Sequence, residues 1–441
     1  MSLTRNIVST FSSRVAMMGL ALASSVVLAR WLGPEGRGIF ALVLILPELA
    51  ASFGLFGFDQ ANTVYSGLEP GGRRALVWHS VVIAAIAGGA LVLGGATYLA
   101  LGAPGFRSLI HGPLWLYLVP LSAVPLRLLT EYWGSILRGM NLIGLINAYE
   151  VGTKVVSLSL LIALVIGLRF GVAGAIWADW VIGIGGAFLL LALLQRVGLW
   201  GKPSLDAALW RRSGKFAFPA YCASILSFLN YRVDQIILAL MVPPEQLAFY
   251  VVAVGLAERM WLPTGAVAMA LLPHLTTTPD RDPALPATIA RHVIIWTGAA
   301  CVGVFVLADF IVRILYSSTY APAAVALRWL LPGIFMLSLG KVLIAELLAR
   351  EKIGVTFWMG TVVVITNFGG NLMLIPRMGI AGASLASSIS YTLLSILVCW
   401  YYLRLTGVRW TKLVPRWADV QAYYALARRH VPAAVARVAG D

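Results

Sequence analysis

Long apolar runs separated by short polar turns make up most of the chain. A helix needs about 20 apolar residues to cross the hydrocarbon core of a bilayer. Twelve runs approach or exceed this length, at residues 9–32, 37–58, 77–101, 114–137, 144–167, 172–195, 216–241, 247–272, 289–311, 323–348, 355–376 and 380–403. The pattern predicts an all-α polytopic membrane protein with about twelve transmembrane helices.

Composition favours the same interpretation. Hydrophobic residues make up 60% of the 441 residues and charged residues only 12%, against about 25% in soluble proteins. The first apolar run, from Val8 to Leu32, is longer than the roughly 7–15 residues of a signal-peptide core, so we interpret it as a membrane helix. The three cysteines lie in apolar runs and the five histidines are scattered. The sequence therefore predicts no disulfide framework, no metal site and no cofactor.

The basic residues indicate topology. A net charge of +15 would suggest a nucleic-acid partner in a soluble chain, but here the basic residues stand between apolar blocks. With a cytoplasmic N-terminus, 21 Lys and Arg residues fall in inside segments and 7 in outside segments. This excess predicts cytoplasmic termini, because inside loops carry more Lys and Arg. We expect no nucleic-acid partner.

An internal repeat indicates two lobes. At an offset of 210 residues, Pro34-Glu35 matches Pro244-Glu245 and Glu48 matches Glu258; at 208, the turn 171–175 matches 379–383. Collinear matches over six helices predict two parallel six-helix lobes, a transporter architecture. The predicted parts are an N-terminal lobe (1–195), a basic cytoplasmic linker (196–215), a C-terminal lobe (216–403) and a basic cytoplasmic tail (404–441).

Several stretches resemble a known family. They are Ser13-Arg14, LARWLGPEGRG at 28–38 and YRVDQIIL at 231–238, followed by Tyr250, Glu258 and the two glycine-rich turns of the repeat. With them the chain resembles, from about Thr4 to Leu405, the polysaccharide or oligosaccharide flippases (Wzx-type) of the multidrug/oligosaccharidyl-lipid/polysaccharide exporter superfamily.

This resemblance implies a transporter rather than an enzyme, with two lobes around a cavity that opens alternately to either side. The implied cargo is an undecaprenyl-diphosphate-linked oligosaccharide, a polysaccharide repeat unit. It would move from the cytoplasmic to the outer leaflet of the bacterial inner membrane. The implied partners are the bilayer, this lipid-linked glycan and other polysaccharide-assembly proteins.

Charges inside the apolar runs are candidates for function, because an ionised group is costly in the membrane. Arg127 and Glu131 are four residues apart, as are Glu150 and Lys154. Each pair shares a helix face and is expected to neutralise itself there. Substrate contact by Arg127 and Lys154 remains open beside this structural interpretation.

Four further cations are expected to lack a partner on their own helix face: Arg14, Arg232, Arg259 and Lys341. Asp234 and Glu346 point away from Arg232 and Lys341 at their spacings. Guanidinium groups stay charged and bind phosphate oxygens as a fork, so these cations are candidates for holding a diphosphate. Bridges to other helices are the alternative.

Carboxylates and aromatic rings complete the candidate site. The repeat-equivalent Glu48 and Glu258, together with Asp234, are candidates for orienting the cations or for binding coupling protons. Tyr231 and Trp261 lie beside candidate cations and are candidates for stacking on sugar rings.

The tail combines seven basic residues with Trp410, Trp417, Tyr423 and Tyr424. We expect it to bind anionic headgroups at the cytoplasmic surface of the membrane.

Other functions are less favoured. The chain has no P-loop motif, so transport would use an ion gradient, the membrane potential or consumption of the flipped glycan. An ion-coupled multidrug or toxin exporter would use carboxylates in the first lobe, whereas the first helix carries only Arg14 and Arg30. Acidic residues in the apolar runs as a whole keep this alternative open. A membrane glycosyltransferase or polymerase is less favoured because it would need a large outside loop. A lipid II flippase is less favoured because resembling proteins of that kind have fourteen helices, against the twelve predicted for this chain.

Overall fold

A computed structural model describes residues 3–102, 110–277, 282–417, 419 and 421, without the side chains of 3–11, 262 and 273. The described residues form helices and no β-strand. The α-helices are α1 (Leu3–Gly54), α2 (Phe58–Leu68), α3 (Arg73–Ile83), α4 (Gly89–Ala100), α5 (Trp115–Ser122), α6 (Val124–Gly139), α7 (Ile143–Leu161), α8 (Gly171–Arg196), α9 (Ala207–Met241), α10 (Pro244–Arg259), α11 (Leu262–Thr277), α12 (Leu285–Tyr316), α13 (Ala321–Ala349), α14 (Ile353–Met378) and α15 (Ile380–Thr406). The predicted all-α class is confirmed.

The kink in α1 separates the first two predicted spans. Gly33 has φ 67° and ψ 179°, a conformation that is essentially restricted to glycine. Pro34 follows and has no backbone N–H to continue the hydrogen-bond ladder. The Gly-Pro turn between the first two apolar runs therefore has a direct structural counterpart.

Eight helical stretches among the described residues are long and apolar enough to cross a bilayer. The first, Ser12–Gly54, has 43 residues, about twice the length that one span needs. Run 114–137 is divided between α5 and α6, run 247–272 is divided between α10 and α11, and run 216–241 lies in α9, which is not among the eight. The chain is thus a multi-pass membrane protein, and the count of twelve spans stays a prediction.

The chain divides into two compact units. The larger unit comprises Met1–Gly255, Ala308–Leu327 and Val364–Ala386; the smaller unit comprises Leu256–Leu307, Arg328–Val363 and Ser387–Asp441. The apolar cores of the larger unit include Leu128 and Tyr132 in one cluster and Ile136 and Leu137 in another. The smaller unit packs around a cluster that includes Val342, Leu343, Val398 and Tyr402. The predicted boundaries of lobes, linker and tail stay predictions.

The connection between α8 and α9 is packed on the larger unit. Of the predicted linker, Arg196 ends α8, residues 197–206 are non-helical, and residues 207–215 form the first turns of α9. Asp206 caps α9 by accepting hydrogen bonds from the backbone nitrogens of Ala208 (2.9 Å) and Leu209 (3.0 Å), and the Leu209 bond is the main cause that lowers the pKa of Asp206. The ring of Trp200 stacks on that of Trp78 with a centroid distance of 4.8 Å.

The tail is described only in part. Helix α15 ends at Thr406, and the structure continues through residues 407–417, 419 and 421. The remaining basic and aromatic residues predicted to bind headgroups lie outside the described residues: Tyr423, Tyr424, Arg428, Arg429 and Arg437.

Candidate functional site

Arg232 on α9 pairs with Glu48 on α1. The Nε of Arg232 lies 3.1 Å from Oε1 of Glu48, and the two side chains are 32% and 46% exposed. They share a small pocket whose other lining residues are Ile45, Leu49, Phe228, Gln235 and Ile236. A candidate cation and a candidate orienting carboxylate are therefore in contact, at an accessible place between two helices.

Asp234 faces a different helix from Arg232. It is buried, accepts a hydrogen bond from the hydroxyl of Tyr250 on α10, and accepts another from the backbone nitrogen of Gln235 at 2.7 Å. Two residues along a helix point to widely different sides. The predicted divergence of Arg232 and Asp234 is confirmed, and each bridges to another helix.

The ion pairs predicted within α6 and α7 are wrong. Arg127 pairs with Asp179 on α8 instead of with Glu131. Glu131 and Glu150 both face Arg138, at 3.7 and 3.3 Å. A pair four residues apart on a helix contributes only about 0.3–0.5 kcal/mol. Better-placed partners therefore decide the geometry: Asp179 for Arg127, and Arg138 for both glutamates.

Lys154 is exposed on α7. Among the described residues it forms no ion pair with Glu150, whose carboxylate is engaged by Arg138. Arg127 and Lys154 are therefore not neutralised in the way that their spacing predicted, and both stay candidates for substrate contact.

Lys341 and Trp261 are in contact in the smaller unit. The Nζ of Lys341 lies 4.6 Å from the Trp261 ring centroid, within the range of a cation–π interaction. Trp261 also meets the buried ring of Tyr391 edge-on, with centroids 5.9 Å apart. Glu346 pairs with Arg350 at 2.6 Å.

The other candidate residues are placed on three helices. Arg14 is exposed on α1, and the described side chains provide it with no hydrogen bond or ion pair. Tyr231 is half-buried on α9, and Glu258 and Arg259 occupy the last turn of α10. The described residues contain no group of His, Cys, Asp and Glu that could hold a metal ion.

Arg30 is a contact residue that the sequence did not identify. Its guanidinium donates to the backbone oxygens of Leu315 (2.8 Å) and Ile314 at the end of α12. The last carbonyls of a helix lack intrahelical partners and attract cations. The hydroxyl of Tyr320 donates to the Ala29 oxygen at 3.2 Å. The hydroxyls of Ser25 and Tyr316 lie 3.3 Å apart beside them. We call this group the Arg30 cluster: Ser25, Ala29, Arg30, Ile314, Leu315, Tyr316 and Tyr320.

The structure shows two further features that contain no charged residue, a close approach of Gly38 to Pro244 and a buried pair of asparagines. Gly38 lies so close to Pro244 at the start of α10 that a Cβ atom at position 38 would be 1.8 Å from the Pro244 oxygen. Asn367 and Asn371 are buried one turn apart on α14, with the Asn371 amide donating to the Asn367 backbone oxygen at 2.8 Å. A search for charged residues finds neither of these features, because glycine and asparagine are uncharged.

Comparison with known proteins identifies the family. The model of the family described as "Polysaccharide biosynthesis protein" matches residues 3–278, and that described as "Lipid II flippase MurJ" matches residues 155–434. No curated protein matches the chain significantly.

Three solved structures of similar fold are all distant in sequence. A lipid II flippase MurJ in an inward closed conformation has a TM-score of 0.77 at 15% identity, covering 90% of this chain and 87% of that one. An inward-facing multidrug resistance MATE family transporter of the MOP superfamily has a TM-score of 0.71 at 14% identity, covering 88% and 94%. A MOP superfamily transporter from Pyrococcus furiosus has a TM-score of 0.60 at 14% identity, covering 91% and 95%.

These structures establish the fold, with its two lobes, whereas the family models establish the family. The resemblance to the exporter superfamily is confirmed, and so is the expectation of a transporter rather than an enzyme. Each of the two models covers more than half of the chain. The chain therefore belongs to the families described as "Polysaccharide biosynthesis protein" and "Lipid II flippase MurJ".

Proposed function

We propose that this protein is a flippase that moves an undecaprenyl-diphosphate-linked oligosaccharide from the cytoplasmic to the outer leaflet of the bacterial inner membrane. The observation that carries the proposal is the accessible Arg232–Glu48 pair among apolar helices. A diphosphate can compete with Glu48 for the guanidinium, because its oxygens accept the same forked hydrogen bonds. Membership of families described by polysaccharide biosynthesis and lipid II flipping supports this cargo class.

The other candidate residues have roles within their own units. Arg14, Arg127 and Lys154 supply further positive charge in the larger unit, and Arg259 and Lys341 supply it in the smaller unit. Trp261 offers a ring for sugar stacking whose position is restrained by Lys341 and Tyr391. Asp234 and Glu258 are the carboxylates that would bind coupling ions or hold cations in place.

An ion-coupled multidrug exporter is the second candidate function. The observation that favours it is Glu48, whose side chain is more exposed than that of Arg232. A carboxylate in this position could bind a cationic drug once Arg232 turned away. The likeness to MATE transporters is compatible with this function but is a likeness of fold.

A transport assay with two cargoes distinguishes the two functions. The purified protein is reconstituted into vesicles that contain a fluorescent polyprenyl-diphosphate oligosaccharide, and a membrane-impermeant reductant bleaches the label in the outer leaflet. The flippase predicts that label from the inner leaflet also becomes accessible. Accumulation of a cationic dye driven by a sodium or proton gradient, without flipping, would replace our proposal by the exporter.

The Arg30 cluster supports an alternating-access mechanism. In the predicted topology, the kink at Gly33 and the end of α12 at Tyr316 lie on the outside. The contacts of Arg30, Ala29 and Tyr320 tie these two ends together. We infer that the cluster holds the extracytoplasmic end of the larger unit closed and separates when cargo leaves.

Replacing Arg30 by alanine is expected to favour the open extracytoplasmic end. A cation at a helix C-terminus contributes about 1 kcal/mol, so the ratio of closed to open molecules should fall roughly fivefold. The measurement is labelling of an Ala29→Cys reporter by an impermeant maleimide from outside, with Cys222, Cys301 and Cys399 replaced. Ala29 is buried in the closed arrangement.

Arg328 provides a matched control for this substitution. Its Nε donates to the Phe305 oxygen at 3.1 Å, so it also joins a guanidinium to a helix carbonyl, but between the consecutive helices α12 and α13. Arg328→Ala is expected to leave the labelling of Ala29→Cys unchanged. Equal labelling of the Arg30 and Arg328 variants would contradict a gating role for the Arg30 cluster.

A further inference from the structure

The chain continues beyond α15 as a segment with two different sides. Gly407 ends the helix with φ +69°, and residues 410–412 form one 3-10 turn. We call the segment 407–421, as far as it is described, the C-terminal strap. Its inner side packs on the smaller unit and its outer side is exposed.

The inner side is fixed by an ion pair and by an apolar contact. Arg291 on α12 meets Asp419 with both parts of its guanidinium, Nε to Oδ2 at 2.9 Å and Nη2 to Oδ1 at 3.0 Å. Both residues are buried, and Leu413 is buried in the apolar cluster of the smaller unit. The Nη2–Oδ1 contact is a hydrogen bond, whereas the Nε–Oδ2 contact is an ion pair only. A hydrogen bond between two ionised groups is stronger than one between neutral groups.

The same carboxylate also shapes the strap itself. Asp419 Oδ2 accepts a hydrogen bond from the backbone nitrogen of Arg416 at 2.9 Å, and the backbone nitrogen of Asp419 donates to the Arg416 oxygen at 2.9 Å. The direction in which residues 414–417 face is therefore coupled to the Arg291–Asp419 contact.

The outer side is basic and aromatic. Trp410 and Trp417 are 66% and 73% exposed, and Val414 is exposed between them. The basic side chains on this side are also exposed: Arg409, Lys412 and Arg416. No acidic residue lies between 407 and 417.

The position of the strap identifies what meets its outer side. It starts directly after the candidate span Ile380–Thr406, and Arg291 lies in the second turn of the candidate span Leu285–Tyr316. The strap thus lies where one candidate span ends and another begins, and we expect the membrane–water interface at such a place. Tryptophan is enriched at this interface, and Lys and Arg next to a span are attracted to anionic lipids.

We propose that the C-terminal strap is a binding surface for anionic phospholipid headgroups, and that the Arg291–Asp419 contact holds this surface against the bilayer. The inference does not depend on the identity of the transported cargo. A protein partner at the same surface is the competing outcome, and the experiment separates the two.

The test uses the full chain in nanodiscs of phosphatidylcholine with increasing phosphatidylglycerol. A fluorophore is attached to Val414→Cys, with the three natural cysteines replaced, and quenching by brominated phosphatidylglycerol is compared with quenching by brominated phosphatidylcholine. We expect stronger quenching by phosphatidylglycerol, and we expect 0.5 M salt to weaken this preference, because salt screens exposed charges.

Substitutions on each side of the strap then separate its two parts. Replacing Arg409, Lys412 and Arg416 by glutamine leaves the inner contacts in place, and each lost charge should lower the apparent affinity for phosphatidylglycerol roughly fivefold. Asp419→Asn should reduce quenching by both lipids, because it removes the ion pair with Arg291 that holds the outer side of the strap toward the bilayer. Lys202→Gln, an exposed lysine of the α8–α9 connection, is the matched control and should change neither.

Three results would overturn the proposal. They are equal quenching by the two lipids, a phosphatidylglycerol preference that survives loss of all three charges, and no quenching by either lipid. The last result would assign the surface to a protein partner or to another part of the chain. None of these results bears on whether the protein flips a lipid-linked glycan.

Discussion

Replacing Gly38 by alanine is expected to remove most transport activity while the protein still inserts into the membrane. The added Cβ atom would lie 1.8 Å from the Pro244 oxygen and 2.3 Å from its carbonyl carbon. Both are backbone atoms, so no side-chain rotation relieves the clash, and α1 and α10 must separate. Overpacking of this kind costs about 1–3 kcal/mol, which corresponds to a shift of roughly 5–150-fold in a two-state equilibrium.

The same substitution should act on the end of the larger unit that we propose to be closed and extracytoplasmic. Gly38→Ala is expected to raise the labelling of Ala29→Cys from outside, as is expected for Arg30→Ala, and Gly38→Val should raise it further. Gly19 provides the control on the same helix, because a Cβ atom there meets nothing within 4 Å. Wild-type transport by Gly38→Ala, measured at equal expression with the fluorescent polyprenyl-diphosphate substrate, would show that this approach is not needed in the transport cycle.

The location of Gly38 has a simple basis in the repeat. Pro34-Glu35 and Pro244-Glu245 are equivalent positions at the offset of 210 residues, and Gly38 follows the first pair by one helical turn. In the predicted repeat, Gly38 therefore contacts the equivalent of Pro34, the residue one turn before it. We expect such a contact if the predicted symmetry axis passes between the two segments. A residue without a side chain is suited to this position because the Pro244 backbone leaves no space for a Cβ atom.

The all-α fold could be predicted from the sequence because the lipid bilayer requires each membrane span to be a continuous apolar segment of the chain. Each span needs its own run of apolar residues, so the all-α class and the turn at Gly33-Pro34 follow from the order of residues, whereas the breaks within runs 114–137 and 247–272 do not. The divergence of Arg232 and Asp234 was also predictable, since it depends only on the geometry of one helix.

The contacts between helices could not be predicted in this way. Spacing suggested that Arg127 pairs with Glu131, but the choice between Glu131 and Asp179 depends on how α6 packs against α8. Arg30 binds backbone oxygens, which every residue has and no sequence pattern marks. The candidate cations could thus be identified from the sequence, whereas their partners depend on how the helices pack and could not.

Arg232 should be essential for moving a lipid-linked diphosphate. Hydrogen bonds to charged groups contribute about 1.5–3 kcal/mol each, so loss of the guanidinium should lower transport at least about tenfold. Arg232→Lys should retain part of the activity, because it keeps the charge but not the forked geometry. Arg14→Ala is expected to lower transport as well, and both effects can be followed as surface glycan and as flipping in vesicles.

Substitution of Glu48, the ion-pair partner of Arg232, tests whether Arg232 binds the cargo or only joins α1 to α9. If the Arg232–Glu48 contact is purely structural, Glu48→Gln and Arg232→Ala should impair transport to a similar extent, because both remove the same ion pair. If Arg232 binds the diphosphate, Glu48→Gln should retain far more activity than Arg232→Ala, since the guanidinium remains for the cargo. Arg212 forms a comparable pair with Glu69 at 3.0 Å near the start of the same helix, so Arg212→Ala controls for loss of an α9 ion pair. Equal losses in the Arg232 and Glu48 variants, with Arg212→Ala active, would restrict Arg232 to holding the two helices together.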